Sequence, residues 1–229
     1  APQSADAARL AAAVEAANAA VIEAALNGLG KPGMGCTATC AYIENDTLAI
    51  AHVGDSRAYL LHEGTLIRVT RDHSYVEELV DAGEITADEA RVHPNRSVIT
   101  RALGSDPAMY ADHFTLHIEE GDRLILCSDG LSSMIPDSDI ENIATQSSTA
   151  QICVDNLVDA ALAAGGHDNV TVVVVDLVDD GVMREAQRVR RRNVTIGVVL
   201  GLVLVLAAAI WAYTGVTGSY YLGTYQGNV

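Results

Sequence analysis

Three times in this sequence an apolar run of the kind that builds a buried strand meets an aspartate at its end. "LAIAHVGDSRAYL" carries Asp55, "RLILCSDGL" carries Asp129 and "GGHDNVTVVVV" carries Asp168, each beside Gly, Ser or Asn. Leu124, Ile125, Leu126 and Cys127 form a continuous apolar run, the pattern of a strand covered on both faces, and Gly130 permits a tight turn after it. One such acid is ordinarily a turn residue that accepts backbone hydrogen bonds. Three at the strand ends of one antiparallel sheet can converge on one edge, where carboxylates repel unless protons or a divalent cation neutralise them. Oxygen donors without a cysteine or histidine set favour Mg²⁺ or Mn²⁺ over zinc.

Around these runs the chain reads as strands in meanders, followed or interrupted by helices. Residues 5–26 place Leu10, Val14, Val21 and Ala25 on one stripe, and "NGLGKPG" supplies glycine and proline to end a helix. Strands are expected at 36–43, 47–53, 57–62 and 65–69, joined by turns short enough for an antiparallel meander. "SYVEELVDAG" and "TADEARVHP" each open with a capping box, Ser74 with Glu77 and Thr86 with Glu89, so two short helices follow. Further strands are expected at 97–102, 112–118 and 123–127, and helices at 137–145 and 149–164, with Pro136 suited to a helix start. A last strand, 169–178, is rich in β-branched residues and suits a central position. Helices covering the faces of such sheets make the class α+β rather than alternating parallel α/β.

The charge balance narrows the partners. Against 14 Lys+Arg stand 30 Asp+Glu, a formal net charge of -16, which argues against a nucleic-acid partner. Cys36, Cys40, Cys127 and Cys153 lack the spacing of a disulfide framework or a zinc set and read as reduced core thiols. From 193 onward no charged residue occurs, and 194–213, "VTIGVVLGLVLVLAAAIWAY", has the length and apolarity of a bilayer-spanning helix. Arg184, Arg188, Arg190, Arg191 and Arg192 precede it as a cytoplasmic flank, and Trp211 and Tyr213 suit the far interface.

Four segments together resemble a known family. "AHVGDSRAYLLHEGTLIRVTRDHSYVEELVDAGEIT", "HPNRSVITRALG", "GDRLILCSDGLSSMI" and "GGHDNVTVVVVDL" look like successive motifs of the PPM family, metal-dependent Ser/Thr protein phosphatases related to protein phosphatase 2C, and "GMGCTAT" stands where the family has a strand start. The resemblance implies a fold: an antiparallel β-sandwich flanked by helices, N-terminally incomplete here, followed by one transmembrane helix. It also implies an enzyme, a protein-serine/threonine phosphatase using two Mn²⁺ or Mg²⁺ ions and, as in bacterial members, a third, weaker one, with Asp129 and Asp168 as ligands of the catalytic pair and Asp55 as ligand of the third ion. Gly130, Asn169, Ser56 and Arg57 stand as supporting residues, and 74–100 as a flap beside the site.

The implied chemistry is attack on a phosphomonoester by a metal-activated water, without a covalent phosphoenzyme. Ser56 and Ser128 then read as turn residues, and Arg57 and Arg101 as arginines paired with neighbouring acids rather than with phosphate. His73, His93 and His167 are candidates for proton transfer only where they reach the site. The expected organisation is a partial phosphatase domain over 1–178, a basic juxtamembrane linker over 179–193, the membrane span over 194–213 and a short, cut-off extracytoplasmic tail over 214–229. The domain would face the cytoplasm, acting on phosphorylated Ser/Thr proteins and opposing membrane Ser/Thr kinases. Two upstream family segments, one with a phosphate-binding Arg and one with a metal-bridging Asp, have no counterpart in the sequence. The expectation is therefore marginal folding and little activity for this chain alone. The alternative is a non-catalytic, membrane-tethered module that binds phosphoproteins.

Overall fold

The computed structural model describes residues 5–178. In chain order these are α1 (Ala5–Leu26), β1 (Ala38–Glu44), β2 (Thr47–Val53), β3 (Arg57–His62), β4 (Thr65–Arg68), α2 (Tyr75–Asp81), α3 (Ala87–Val92), β5 (Asp112–His117), β6 (Arg123–Cys127), α4 (Asp129–Ser132), α5 (Asp137–Gln146), α6 (Ala150–Ala163) and β7 (Val172–Asp176). Every strand pair is antiparallel, in two sheets of order β1-β2-β5 and β4-β3-β6-β7.

Alternation along the strands explains the layering, because successive side chains point to opposite faces. Leu48 and Ile50 of β2 meet Ala58 and Leu60 of β3 and Leu124 of β6 in a core between the two sheets. On its other face β2 presents Ala51 and Val53 to Ala11 and Val14 of α1. The outer face of the second sheet, with Tyr59, Leu61, Ile125 and Cys127, packs under α4 to α6 through Leu131, Ile140, Cys153 and Leu157. The result is a four-layer sandwich, helix on sheet on sheet on helices.

Several expectations change here. The strands from 36 to 69 do not form one meander: β1 and β2 belong to one sheet, β3 and β4 to the other, and the Gly54-Asp55 turn carries the chain across. A two-stranded ladder satisfies the same local pattern whichever sheet it joins, so the sequence does not distinguish them. The segment 97–102 forms no strand, only an isolated bridge of Ile99 with Ser74, and just beyond it Leu103 bridges Cys36. Among the described residues β7 lies at a sheet edge, with Val173 and Val175 exposed and only its alternate valines packed on the helices. The four thiols are free, but Cys36 is exposed rather than in the core.

The fold class is corrected in one part. The α+β sandwich stands, but no helix among the described residues is long and apolar enough to cross a membrane. The transmembrane helix therefore drops out of the fold class, and the segment 194–213 on which it rested lies outside the described residues.

Candidate active site

At the end of β6 the chain turns directly into α4, so the expected tight turn at Gly130 is a helix start. Glycine is required there by proximity: a Cβ would stand 2.4 Å from the carbonyl oxygen of Asn169. Ser128 draws the two segments together. Its hydroxyl donates to that same carbonyl at 3.1 Å and accepts from the N–H of Thr171 at 3.1 Å, while its own N–H donates to the Thr171 carbonyl at 3.0 Å. The Asn169 N–H donates to Asp168 Oδ1 at 2.7 Å and fixes that carboxylate. Asp129 and Asp168 thus stand close enough to interact: burial first, then the charge of Asp168, pushes the Asp129 carboxyl up.

The second corner carries Asp55. Gly54 has a φ of +110°, and a Cβ there would stand 2.3 Å from Thr37 Cγ2, so no other residue makes this crossing between sheets without strain. Ser56 is held by Thr37 Oγ1 at 2.9 Å, and its carbonyl accepts from Thr39 Oγ1 at 3.1 Å. His73 clamps Gly54 from both sides: its N–H donates to the Gly54 carbonyl at 2.7 Å and its Nδ1 accepts the Gly54 N–H at 3.0 Å. An accepting Nδ1 places the ring proton on Nε2, which donates to Asp112 Oδ2 at 3.0 Å. Burial would raise the Asp112 carboxyl, but the bonds from His73 and from Arg101, 2.7 Å away, outweigh it and hold Asp112 below the usual range. The Arg101 guanidinium also lies over the Tyr110 ring, 4.2 Å from its centroid.

Asp55 and Asp129 open into one cleft of about 360 Å³, walled by the strand ends and α4–α5 on one side and by α2–α3 and the residues after it on the other. Burial, then the charges of Asp129 and Asp72, pushes the Asp55 carboxyl up to about 6. Arg57 does not reach into this space unpaired. Its Nε lies 3.1 Å from both Asp72 oxygens, its Nη2 donates to Asp72 at 2.8 Å, and its Nη1 contacts Tyr59 Oη at 3.1 Å and Asp137 at 3.3 Å. Burial alone would weaken its charge, but the bonds to Asp72 outweigh that and raise its pKa. Asp72 also holds Arg68 at 2.8 Å, and Arg68 reaches Glu77 of α2 at 3.1 Å.

The structure therefore brings Asp55, Asp129 and Arg57 to one cleft, with Ser56 and Gly130 positioning the corners beneath. Asp168 is exposed and outside the cleft lining, coupled to it through Asp129. Among the described residues no group of three or more His, Cys, Asp or Glu side chains closes on a common point. In donor chemistry the carboxylates still fit a hard divalent cation, because each raises the next and a cation would relieve both. Mg²⁺-type ions commonly take only one or two carboxylates and complete their shell with water.

The other candidates have structural occupations. His73 is buried and committed to Gly54 and Asp112. His93 Nδ1 accepts the Asn95 N–H at 3.1 Å. His167 is exposed. The residues that sequence reasoning missed are Asp72, His52, Asp112 and Asp137. Only Asp72 had a usable signal, an acid inside the quoted "TRDHS", and its two arginine partners come from other turns of the chain.

The family model for protein phosphatase 2C matches residues 30–170. A serine/threonine phosphatase stp of Listeria welshimeri is 40% identical over 144 residues, covering 63% of this chain and 57% of that protein. The serine/threonine protein phosphatase PstP of Mycobacterium tuberculosis is 43% identical over 175 residues, covering 75% of this chain and 33% of that protein. The chain thus spans little more than half the length of the first of these curated relatives and a third of the second. Among solved structures, the catalytic domain of serine threonine protein phosphatase PstP in complex with 2 manganese ions superposes with a TM-score of 0.69 at 38% identity, over 78% of this chain and 74% of that one.

Proposed function

The chain belongs to the protein phosphatase 2C family, and from that membership we propose that it hydrolyses phosphoserine and phosphothreonine in proteins, reversing the work of Ser/Thr kinases. The observation that carries this reading is the meeting of Asp55 and Asp129 at the mouth of one cleft, each with its pKa raised by burial and by a neighbouring carboxylate. Asp129 and Asp168, with Asp55, are the residues that would hold Mn²⁺ or Mg²⁺. When bound, such ions supply a water of lowered pKa and countercharge for the phosphoryl oxygens.

The chain's own residues fix the rest. In this reading attack is assigned to water, and the nucleophilic side chains flanking the two strand-end aspartates are occupied or inert. The hydroxyls of Ser56 and Ser128 are engaged with Thr37 and with the Asn169–Thr171 backbone. The Cys127 thiol is pushed up to about 12 by burial and carries no thiolate at neutral pH. Arg57 acts as a positioning residue: clamped by Asp72, Tyr59 and Asp137, it ties the start of β3 to the start of α5 and so holds the turn that carries Asp55. The His73 clamp on Gly54 does the same from the flap side.

A second reading is a module that binds phosphoproteins without turnover. It draws on the finding that no three ligating side chains close on one point among the described residues. Phosphate release from a phosphothreonine peptide in Mn²⁺, measured beside Asp129→Asn, separates the two. We expect release by the parent chain and at least a hundredfold loss in the variant, on the order of the loss when an electrostatic catalytic group is removed. Release that is equal in both, or absent from the parent, overturns the phosphatase reading.

A further inference from the structure

We infer that Arg91 is a specificity contact that takes an acidic side chain flanking the phosphorylated residue, so that this chain selects acidic phosphopeptides; the inference rests on the phosphatase reading of the same cleft. It starts from an imbalance. Among the described residues Arg9, Arg57, Arg68, Arg71, Arg101 and Arg123 each lie within ion-pair distance of a carboxylate. Arg91 and Arg96 have no ion pair among the described residues. In a chain with 30 acidic residues against 14 basic ones, an arginine without an acid is the exception, and both exceptions line the one cleft that holds Asp55 and Asp129.

Arg91 carries the stronger signal. Its Nε is buried and has no hydrogen-bond partner. A guanidinium N–H withdrawn from water and left unbonded is unfavourable, and a ligand carboxylate beside the same guanidinium offsets that cost by stabilising its charge. The acids nearby are already committed: Asp72 to Arg57 and Arg68, Glu77 to Arg68, and Asp137 to Arg57 and Tyr59. Asp88, on the same short helix, also lines the cleft but does not pair with Arg91.

The helix that presents Arg91 is fixed rather than loose. Thr86 and Glu89 close a reciprocal capping box at its start, and Ala90 beside Arg91 is buried. Arg91 lines the cleft without a carboxylate partner among the described residues, and the planar outer edge of a guanidinium is shaped for a carboxylate. The cleft, at about 360 Å³, is large enough for a phosphoresidue together with a neighbouring side chain. The carboxylates of the strand-end wall repel an acidic side chain, so the flap wall is where one is accommodated.

The test compares equilibrium binding, in Mn²⁺, of two fluorescein-labelled peptides that carry a non-hydrolysable phosphonate analogue of phosphothreonine, one with glutamates on both sides of that residue and one with glutamines. The parent chain is expected to bind the glutamate peptide roughly tenfold more tightly. Arg91→Gln is expected to bring the two within about twofold, and Arg91→Glu to favour a lysine-flanked peptide over the glutamate one, a gain that misfolding does not produce. Equal binding of both peptides by the parent, or a glutamate preference that survives in Arg91→Gln, overturns the inference. Phosphate release from the matching phosphothreonine peptides in Mn²⁺ is recorded in parallel. A binding preference without any release discards the phosphatase reading and leaves the acidic contact standing, whereas release without preference does the reverse.

Discussion

The two walls of the cleft treat charge in opposite ways. On the strand-end wall the Arg57 cation is neutralised from within the fold by Asp72 and Asp137, with Tyr59 Oη accepting a further hydrogen bond, and Asp72 is shared with Arg68. On the flap wall Arg91 and Arg96 line the cleft without an ion pair among the described residues. A charge balanced internally serves to hold backbone in place, whereas one left unbalanced is available to a ligand. The contrast separates residues that build the site from residues that select what enters it, and substitutions on either wall test it.

The largest effect is expected at Asp72. It is buried, and it neutralises two arginines at once. Removing one partner of a buried ion pair strands the other charge, so Asp72→Asn is expected to lower the unfolding free energy by about 3–5 kcal/mol. Asp137, about half-exposed, holds Arg57 at 3.3 Å and is expected to cost less than about 1 kcal/mol when changed to Asn. Urea unfolding of both variants checks the ranking. Similar losses at the two positions would mean that the strand-end wall is not organised around Asp72.

How much of this was legible in the sequence depends on the range of the interaction. Local patterns were readable: the span of α1 and, of its stripe, Val14 as a buried residue, with Leu10, Val21 and Ala25 only half-buried and Ala7, Ala11 and Asn18 buried instead; β2 and β3 to the residue; and the Thr86–Glu89 box. The Ser74–Glu77 box was half right, because Ser74 accepts the Glu77 N–H while the Glu77 carboxylate goes to Arg68 instead. The strand-end positions of Asp55 and Asp129 follow from where apolar runs stop, and so they could be found. Partners set by sheet register could not: Arg57 meets Asp72 and Asp137 only because β3 lies beside β4 and under α5. The valines of β7 misled for a physical reason, since packing one face on helices selects the same β-branched residues at an edge as in a centre.

The next effect lies behind the strand-end wall and concerns pH. His52 of β2 is buried, bonded to Thr39 Oγ1 at 2.9 Å and to the Arg71 carbonyl at 3.0 Å, with its ring 5.0 Å from that of His73. Burial, then the neighbouring His73, lowers its pKa to about 4, against the attraction of Asp72 and Asp112. Between its unfolded value near 6.5 and about 4 the unfolded chain takes up a proton that the folded chain refuses, so this contribution to stability is complete above about 6.5 and is lost as pH falls, by about 3 kcal/mol in all. Asp55, held up at about 6, acts with the opposite sign over an overlapping window, because there the folded chain keeps a proton that the unfolded chain releases. The informative quantity is therefore the difference between the parent and His52→Gln in urea unfolding at pH 7.5, 6.0 and 4.5. The gap between them is expected to narrow with acid, and a constant gap would show that His52 does not titrate with folding.

The smallest effect is expected on the flap wall, and it asks whether the two walls are separate. Thr86 Oγ1 accepts the Glu89 N–H at 3.3 Å, while Glu89 Oε2 accepts the Thr86 N–H at 2.7 Å and its hydroxyl at 2.9 Å. Losing such a cap costs about 1 kcal/mol, so Thr86→Ala is expected to raise amide exchange in residues 87–92 about fivefold. Exchange around Gly54 and Asp55 should not change, because the His73 clamp and the Thr37 and Thr39 hydroxyls hold that corner independently of the cap. Since α3 carries Arg91, the same variant should weaken the preference for acidic peptides while leaving the global unfolding midpoint nearly where it was. A rise in exchange at 52–57 equal to that at 87–92 would make the walls one cooperative unit, and the division between a wall that builds the site and a wall that selects would fail.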